Sequence, residues 1–314
     1  MEPPASVPHP VAVLGRALGA IEARTYAGDR RAGVVHAAAG LALGAAAGRA
    51  VRSTAVVTAV CAGGRMLGDV ATAVGARLAA GDLDGARAEL PALVGRDPSV
   101  LDAAGIARAV VESVAENTVD AVVAPALWAA VGGAAGAGAH KAASTLDSMV
   151  GHRTARYERF GWASARLDDV MAWVPARLTA GLVAAVRPAR AGAVLTAVRR
   201  DAPAHPSPNA GVAEAAFAAA LGGGLGGETD YGDHVEQRPL LGDGPPPGPD
   251  DVGRAVRLSA DVTWALAAAL AAAAATTRDR GQDAVPRAEG RRRDGLLPTG
   301  RRAARGSAGI IGRR

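Results

Sequence analysis

The apolar residues of this sequence are gathered into uncharged windows that consist mostly of Ala and Gly. Four such windows occur: between Arg31 and Arg49, from Ser53 to Gly64, between Asp120 and Lys141, and between Asp261 and Arg278. Ala is the strongest helix former, and the alternation of β-branched and aromatic residues that is typical of sheets is nearly absent. Because aromatic residues make up only 3% of the chain, a bulky aromatic core is excluded. We therefore predict an all-α fold whose helices pack closely through small side chains.

A helix that spans a membrane needs about 20 mostly apolar residues. Only residues 121–140 reach that length without a charge, and residues 262–277 form a slightly shorter second candidate. Since Ala and Gly add little to the free energy of transfer into lipid, hydropathy alone leaves two folds open. One is a multi-pass helical bundle with polar and amphipathic helices between its spans, and the other is a soluble Ala-rich bundle.

The net charge of +5 comes from the C-terminal end of the chain. Residues 278–314 contain 11 Arg and 4 acidic residues, whereas residues 1–277 contain 24 basic and 26 acidic residues. We predict one domain over 1–277, with a polar linker at about 233–253, and a disordered Arg-rich tail over 278–314. A basic segment after an apolar helix favours an anionic lipid surface, although a solvated tail is the alternative. No nucleic acid is expected, because no aromatic residues are interleaved for base stacking.

Glu112, Glu116 and Asp120 recur every four residues and therefore share one face of a predicted helix. Like charges at this spacing repel each other. A divalent cation would remove the repulsion, and carboxylate oxygens are ligands that suit Mg²⁺. We predict a magnesium site at these three residues, and the alternative is a solvated acidic face.

Lys141 is the only lysine in a chain with 34 arginines. A compact ammonium suits a phosphate or a developing carboxyl charge, so we predict a functional role for it, with chance as the alternative. A dense polar stretch that includes Asp147 follows at residues 144–153. Asp168 and Asp169 similarly border an apolar segment, where a structural salt bridge is the competing interpretation.

Six blocks of this sequence, in order over residues 9–232, resemble the adenosylcobinamide-phosphate synthase family, CobD/CbiB. They are His9-Pro10-Val11 with Gly15-Arg16, Val94-Gly95-Arg96-Asp97, the segment 112–120 followed by Ala124-Pro125, the segment 145–151, Asp168-Asp169-Val170 with the segment 175–178, and the segment 207–211 with Glu214-Ala215-Ala216.

The resemblance implies a multi-pass enzyme of the cell (inner) membrane that acts in adenosylcobalamin biosynthesis. Such an enzyme joins the free propionate carboxyl of adenosylcobyric acid, a cobalt corrinoid, to the amine of aminopropanol or its phosphate. It would use ATP and Mg²⁺, and activation of the carboxyl as an acyl phosphate is the chemistry that we expect. The lipid bilayer and other membrane enzymes of the cobalamin pathway are its expected partners.

We assign roles to individual residues from their charge type. The catalytic candidates are Glu112, Glu116, Asp120, Lys141, Asp147, Asp168 and Asp169. The acids among them would form the Mg²⁺ and ATP end of the site, whereas Lys141 would bind phosphates. The candidates for substrate binding are Arg96, Asp97, Asn117, Ser148, Arg153, Arg177, Ser207, Asn209 and Glu214. Among these, the basic residues would bind phosphates, whereas Asn117, Ser207 and Asn209 would orient the substrate.

The sequence departs from the family pattern in two respects. Members usually open with an apolar helix that ends in a Gly-Asp-Pro signature, whereas eight residues precede His9 here. We expect that the start codon is placed too late or that the first span is lost. Ser144 and Ala172 stand where the family tends to have Asn. The alternative function is a non-catalytic membrane transporter or scaffold, or an inactive truncated family member.

Overall fold

The structure is a computed structural model that describes residues 9–95, 97–230 and 235–283. Its described part contains eleven α-helices and one β-hairpin. The helices are α1 (Pro10–Thr25), α2 (Arg30–Val51), α3 (Thr54–Cys61), α4 (Gly64–Ala79), α5 (Leu83–Glu89), α6 (Ala103–Thr118), α7 (Ala124–Val150), α8 (Trp162–Val186), α9 (Ala191–Arg200), α10 (Ala210–Leu221) and α11 (Pro249–Asp283). The strands are β1 (Leu225–Asp230) and β2 (Val235–Leu241), which pair antiparallel.

Short polar side chains start several of these helices by accepting hydrogen bonds from the first turn. The carboxylate of Asp29 accepts from the backbone N–H of Arg31 and Ala32 at the start of α2. Ser53 begins α3 and Asp102 begins α6 in the same way. These caps explain why the long apolar region of the N-terminal half is divided into separate helices.

Five helical segments are long and apolar enough to cross a membrane, by length and composition, which confirms the prediction of a multi-pass helical fold. They are Arg30–Val51, Thr54–Ala79, Ala103–Val150, Trp162–Val186 and Pro249–Thr276. The sequence windows indicated fewer spans, because isolated charges such as Asp69 interrupt the apolar runs.

The buried face of α2 consists almost entirely of small residues. Gly40, Gly44 and Gly48 recur every four residues and are all buried. A Cβ atom on Gly44 would overlap the carbonyl oxygen of Gly138 in α7, and one on Gly138 would overlap the carbonyl oxygen of Gly44. The backbones of α2 and α7 are therefore in direct contact, which is the small-residue packing that the composition predicts.

The uncharged window 121–140 does not form one straight span, because α7 folds back on itself at Gly133. This residue has φ 60° and ψ −151°, a conformation that favours glycine. A Cβ atom on Gly136 would overlap the carbonyl oxygen of Trp128. In a continuous helix these two residues would be about 12 Å apart along the axis. The sharp turn therefore brings the first part of α7, at Trp128, against the start of its second part, at Gly136.

A large core cluster joins α4, α6 and the later helices, and α10 is buried along almost its whole length. Next to α10, residues 235–241 of the predicted linker form strand β2 instead. The hairpin is anchored at its base because Leu225 and Leu241 are both buried. Its register shifts between Leu225 and Gly227, where Gly226 and Gly227 have positive φ.

The chain divides into two units, Met1–Ala272 and Ala273–Arg314. The described part of the second unit is helical and ends at Asp283, so the helix continues six residues into the segment predicted to be a disordered tail. The remainder of that predicted tail lies outside the described residues.

Asp201, between α9 and α10, holds the base of the hairpin. Its Oδ2 accepts hydrogen bonds from Arg200 Nη2 and from the backbone N–H of Gly242, each at 2.9 Å. The hydrogen bond from Arg200 is the largest cause that holds the pKa of Asp201 below its ordinary value of 3.8.

This pKa predicts a pH dependence of stability. A carboxyl whose pKa is lower in the folded state stabilises that state above its ordinary pKa, and the contribution is lost as the pH falls through the lower, folded value. We expect thermal unfolding in detergent to show a loss of stability below about pH 4 that is smaller in Asp201→Asn. At pH 7 the substitution should cost about 2 kcal/mol. Equal pH slopes for the two proteins would contradict this role of Asp201.

Candidate functional site

One cavity of about 450 Å³ gathers most of the acidic residues that the sequence singled out. Its wall carries five carboxylates and one arginine. The lining residues are Glu116, Val119, Asp120, Asp147, Arg153, Ala165, Asp168, Asp169, Ala172, Pro206, Ser207, Asn209 and Ala210. They come from α6 and the turn that follows it, from α7 and the segment that follows it, from α8, and from the loop and first residue of α10.

The turn Val119–Val123 between α6 and α7 is π-helical. Such wide turns insert an extra residue into a helix and often occur at functional sites. Asp120 lies in this turn and Glu116 lies just before it, and both line the cavity. The turn is held by Thr118, whose hydroxyl donates to the carbonyl of Val114 and contacts Ser259 Oγ at 2.7 Å.

Asp168 and Asp169 enter the cavity from α8. Asp169 is paired with Arg166 at 3.3 Å, whereas Asp168 Oδ1 is buried and has no hydrogen-bond partner within the described residues. Asp120, Asp147 and Asp169 all lie within electrostatic range of Asp168. A buried carboxylate without a partner is costly, so this corner of the cavity is suited to a bound cation.

The loop before α10 forms the opposite wall and is fixed by hydrogen bonds. Asn209 Nδ2 donates to the carbonyl of Asp169 at 2.8 Å, and Asn209 Oδ1 accepts from Arg177 Nη1 at 2.8 Å. Ser207 Oγ accepts from the backbone N–H of Asn209 and Ala210. Arg177 therefore acts through Asn209, while the hydroxyl proton of Ser207 remains to donate to a ligand.

A buried pair, His205 and Glu214, lies behind this wall. His205 Nδ1 lies 3.1 Å from the backbone nitrogen and 3.2 Å from the carbonyl oxygen of Ser207, and Nε2 lies 3.8 Å from Glu214 Oε2. Burial lowers the pKa of His205. Burial, together with the nearby carboxylates of Glu116 and Glu112, raises the pKa of Glu214 well above its usual range. Both directions favour an uncharged pair.

Several predicted site residues do not line the cavity. Glu112 is buried, and its Oε1 accepts a hydrogen bond from the backbone N–H of Gly226 at 2.9 Å, so it anchors the hairpin. Lys141 lines a separate apolar cavity of about 240 Å³ together with residues of α1, α2 and α3. The ammonium of Lys141 nevertheless lies within electrostatic range of Asp120 and Asp168, so its predicted role beside the carboxylates stays a prediction.

The remaining candidates have local roles in the structure. Asn117 donates to the carbonyl of Ser113, and Ser148 donates to the carbonyl of Ser144. Asp97 accepts from the backbone N–H of Ser99. Arg96 lies outside the described residues.

His205 is the residue that the sequence reasoning missed. Its signal was its place at the start of the loop 205–211, beside Ser207 and Asn209, where its ring contacts the backbone of a cavity residue. A single histidine without metal-ligand spacing gave no other indication.

Magnesium fits the carboxylate oxygens of this cavity if substrate phosphates complete its set of ligands. Within the described residues, no group of three or more His, Cys, Asp or Glu side chains is arranged to hold a metal ion. Mg²⁺, however, is commonly held by one or two carboxylates together with substrate phosphates. The carboxylates of Glu116, Asp120 and Asp168 supply such oxygens, whereas Glu112 is engaged by the hairpin. The magnesium site stays a prediction.

Comparisons with known proteins agree with the resemblance noted above. Residues 1–259 match the family model described as "CobD/Cbib protein". "Cobalamin biosynthesis protein CobD" of Mycobacterium tuberculosis strain H37Rv is 49% identical over 277 residues, which cover 84% of this chain and 88% of that protein. The protein of the same name from Pelobacter propionicus is 42% identical over 262 residues, covering 76% and 80%.

A third relative, again named "Cobalamin biosynthesis protein CobD", comes from Rhodobacter capsulatus and is 51% identical over 195 residues, or 62% of each chain. No solved structure matches this chain. The family match extends over the helices that carry all the lining residues of the carboxylate cavity. This membrane protein therefore belongs to the CobD/CbiB family of cobalamin biosynthesis proteins.

Proposed function

We propose that this protein is an ATP-dependent amide ligase of the cell membrane. It would join the free propionate carboxyl of adenosylcobyric acid to the amine of aminopropanol or of its phosphate. The observation that carries the proposal is the cavity of about 450 Å³ with five carboxylates. A corrin macrocycle is too large for it, so the reacting propionate arm would enter while the ring stays outside.

Free carboxylates react with amines too slowly, so the propionate must be activated. A propionate oxygen would attack the γ-phosphorus of ATP, which forms an acyl phosphate and releases ADP. The amine nitrogen would then attack the carbonyl carbon, and the carbon–oxygen bond to phosphate would break. The amine loses a proton in this step, and inorganic phosphate leaves with one oxygen of the original carboxyl.

The charges of the cavity support this sequence of steps. One or two of the carboxylates of Glu116, Asp120 and Asp168 would hold Mg²⁺, which would supply charge neutralisation for the phosphates. Arg153 is the cation on the cavity wall and would stabilise the charge that develops on the transferred phosphoryl group. Ser207 would donate its hydroxyl proton to a substrate oxygen, and a wall carboxylate such as Asp147 would accept the proton from the amine.

The proposal is tested with membranes that contain the full chain. Adenosylcobyric acid, ATP, Mg²⁺ and aminopropanol phosphate are added together, and mass spectrometry follows the amide product. We expect the amide only when all four components are present, and a parallel series with aminopropanol shows which amine is used. Amide formation without ATP would overturn the proposal, as would the absence of product with either amine from folded protein.

A further inference from the structure

Trp173 and Arg177 form a flat ledge on α8, one and two helical turns after Asp169, which lines the carboxylate cavity. The guanidinium carbon of Arg177 lies 4.4 Å from the centroid of the Trp173 ring. The side chain of Trp173 is nevertheless 53% exposed. One side of the indole is therefore covered by the arginine, and a large part of the ring remains open.

The arginine of this ledge is held rigidly. Its Nη1 donates to the carbonyl of Trp173 at 3.1 Å and to Asn209 Oδ1 at 2.8 Å, and its Nη2 donates to the carbonyl of Pro208 at 3.1 Å. These bonds fix the guanidinium plane relative to the indole. A fixed aromatic surface loses little freedom when a ligand stacks on it.

The ledge is also joined to the cavity. Asn209, which accepts from Arg177, lines the cavity and donates to the carbonyl of Asp169, another lining residue. Asp169 also lies one helical turn before Trp173 in α8, so the two side chains share one face of the helix. A ligand whose phosphates enter the cavity would therefore have its remaining part close to the indole.

Exposed tryptophans also occur at membrane surfaces, where they anchor a helix in the lipid headgroup region. The chain offers a matched example in Trp162 on the same helix, which is 41% exposed and has the guanidinium of Arg30 at 5.3 Å. Neither tryptophan lines the cavity itself. Trp173 is joined to it through Arg177 and Asn209, whereas Arg30, the partner of Trp162, is not among the lining residues. If both tryptophans were lipid anchors, replacing either of them should leave ligand binding unchanged. If the ledge binds a ligand, only the replacement of Trp173 should weaken that binding.

We propose that the open part of Trp173 stacks an adenine ring. The inference rests on the proposed function, in which ATP supplies an adenine whose phosphates lie among the carboxylates. Stacking on an aromatic side chain is the usual way in which proteins hold a nucleobase without reading its edges. The adenosyl group of the corrinoid substrate is a second source of the same ring.

The test measures binding and not activity. Equilibrium dialysis of the full chain in detergent, with labelled ATP and Mg²⁺, compares the wild-type protein with three variants. Trp173→Leu should weaken ATP binding about tenfold, whereas Trp173→Phe should stay within about threefold because the aromatic surface remains. Trp162→Leu should bind ATP as the wild type does. Inorganic tripolyphosphate, which has no base, should bind equally to all four proteins.

Two corrinoids identify the source of the adenine. If ATP binding is unchanged in Trp173→Leu but adenosylcobyric acid binds more weakly, the ledge holds the adenosyl group. If cobyric acid without the adenosyl group is weakened to the same extent, the macrocycle is the contact and the proposal is overturned. Equal binding of ATP and adenosylcobyric acid to wild type and Trp173→Leu also overturns it. If the wild type binds adenosylcobyric acid but no ATP, the proposed function fails independently of the ledge.

Discussion

Replacing Asp168 by Asn is expected to lower the rate of ATP-dependent amide formation by about 10²- to 10³-fold. The same substitution should raise the melting temperature by about 2–4 °C, which corresponds to about 1 kcal/mol. Asn keeps the size of the side chain but removes its negative charge. Loss of activity together with a gain in stability is the behaviour expected of a functional residue that the fold holds at a cost.

The reason for both effects is the surroundings of Asp168. Its Oδ1 is buried without a hydrogen-bond partner within the described residues. Three further carboxylates, those of Asp120, Asp147 and Asp169, repel it, and the smaller attraction of Lys141 offsets only part of this repulsion. A neutral amide relieves this repulsion and the cost of burying a charge, but it no longer offers a charged oxygen to a cation.

Activity in membranes and thermal unfolding in detergent measure the two effects. Asp69→Asn is the matched control, since Asp69 also lies in an apolar helical segment but its side chain is 74% exposed. The control should change neither quantity appreciably. Retained activity in Asp168→Asn would remove Asp168 from the site, and a joint loss of activity and stability would indicate a structural role.

Substituting Gly44 by Ala should destabilise the folded protein by about 3 kcal/mol or more. The added Cβ atom would overlap both the Cβ of Ala142 and the carbonyl oxygen of Gly138. Backbone atoms cannot rotate away as a flexible side chain would, so α2 and α7 must separate. We expect a lower melting temperature and a smaller yield of folded protein from detergent extracts.

Gly181→Ala is the control for this effect. Gly181 lies inside α8, and a Cβ atom there would meet nothing within 4 Å. Ala is the better helix former by about 1 kcal/mol, so this variant should be as stable as the wild type or more so. If both substitutions had the same effect, close backbone packing of α2 against α7 would be contradicted.

Much of the candidate site could be predicted because charged residues beside apolar helices are conspicuous in so biased a composition. Glu116, Asp147 and the adjacent pair Asp168 and Asp169 come from three separate segments of the chain, yet they were grouped by their charge type. The structure places all four around one cavity. The all-α class followed from the Ala content in the same direct way.

The structure differs from the sequence predictions where the fold depends on features that side-chain type does not reveal. The turn at Gly133 depends on one residue with positive φ in a window where glycines are common. The hairpin depends on pairing between two short strands of low β-propensity, and its docking engages Glu112, which helical spacing had grouped with Glu116 and Asp120. Lys141 was grouped with the acids because it is rare, and it lies within electrostatic range of Asp120 and Asp168 although it lines a separate apolar cavity.

The central claim, that ATP activates the propionate among these carboxylates, is tested most directly by following an oxygen atom. Adenosylcobyric acid labelled with a heavy oxygen isotope in its free propionate carboxyl is converted by membranes that contain the wild-type protein or Glu116→Gln. We predict one labelled oxygen in the inorganic phosphate for each amide formed by the wild type, and no transfer with Glu116→Gln. Amide formation that leaves the phosphate unlabelled, or equal transfer with both proteins, would contradict the account.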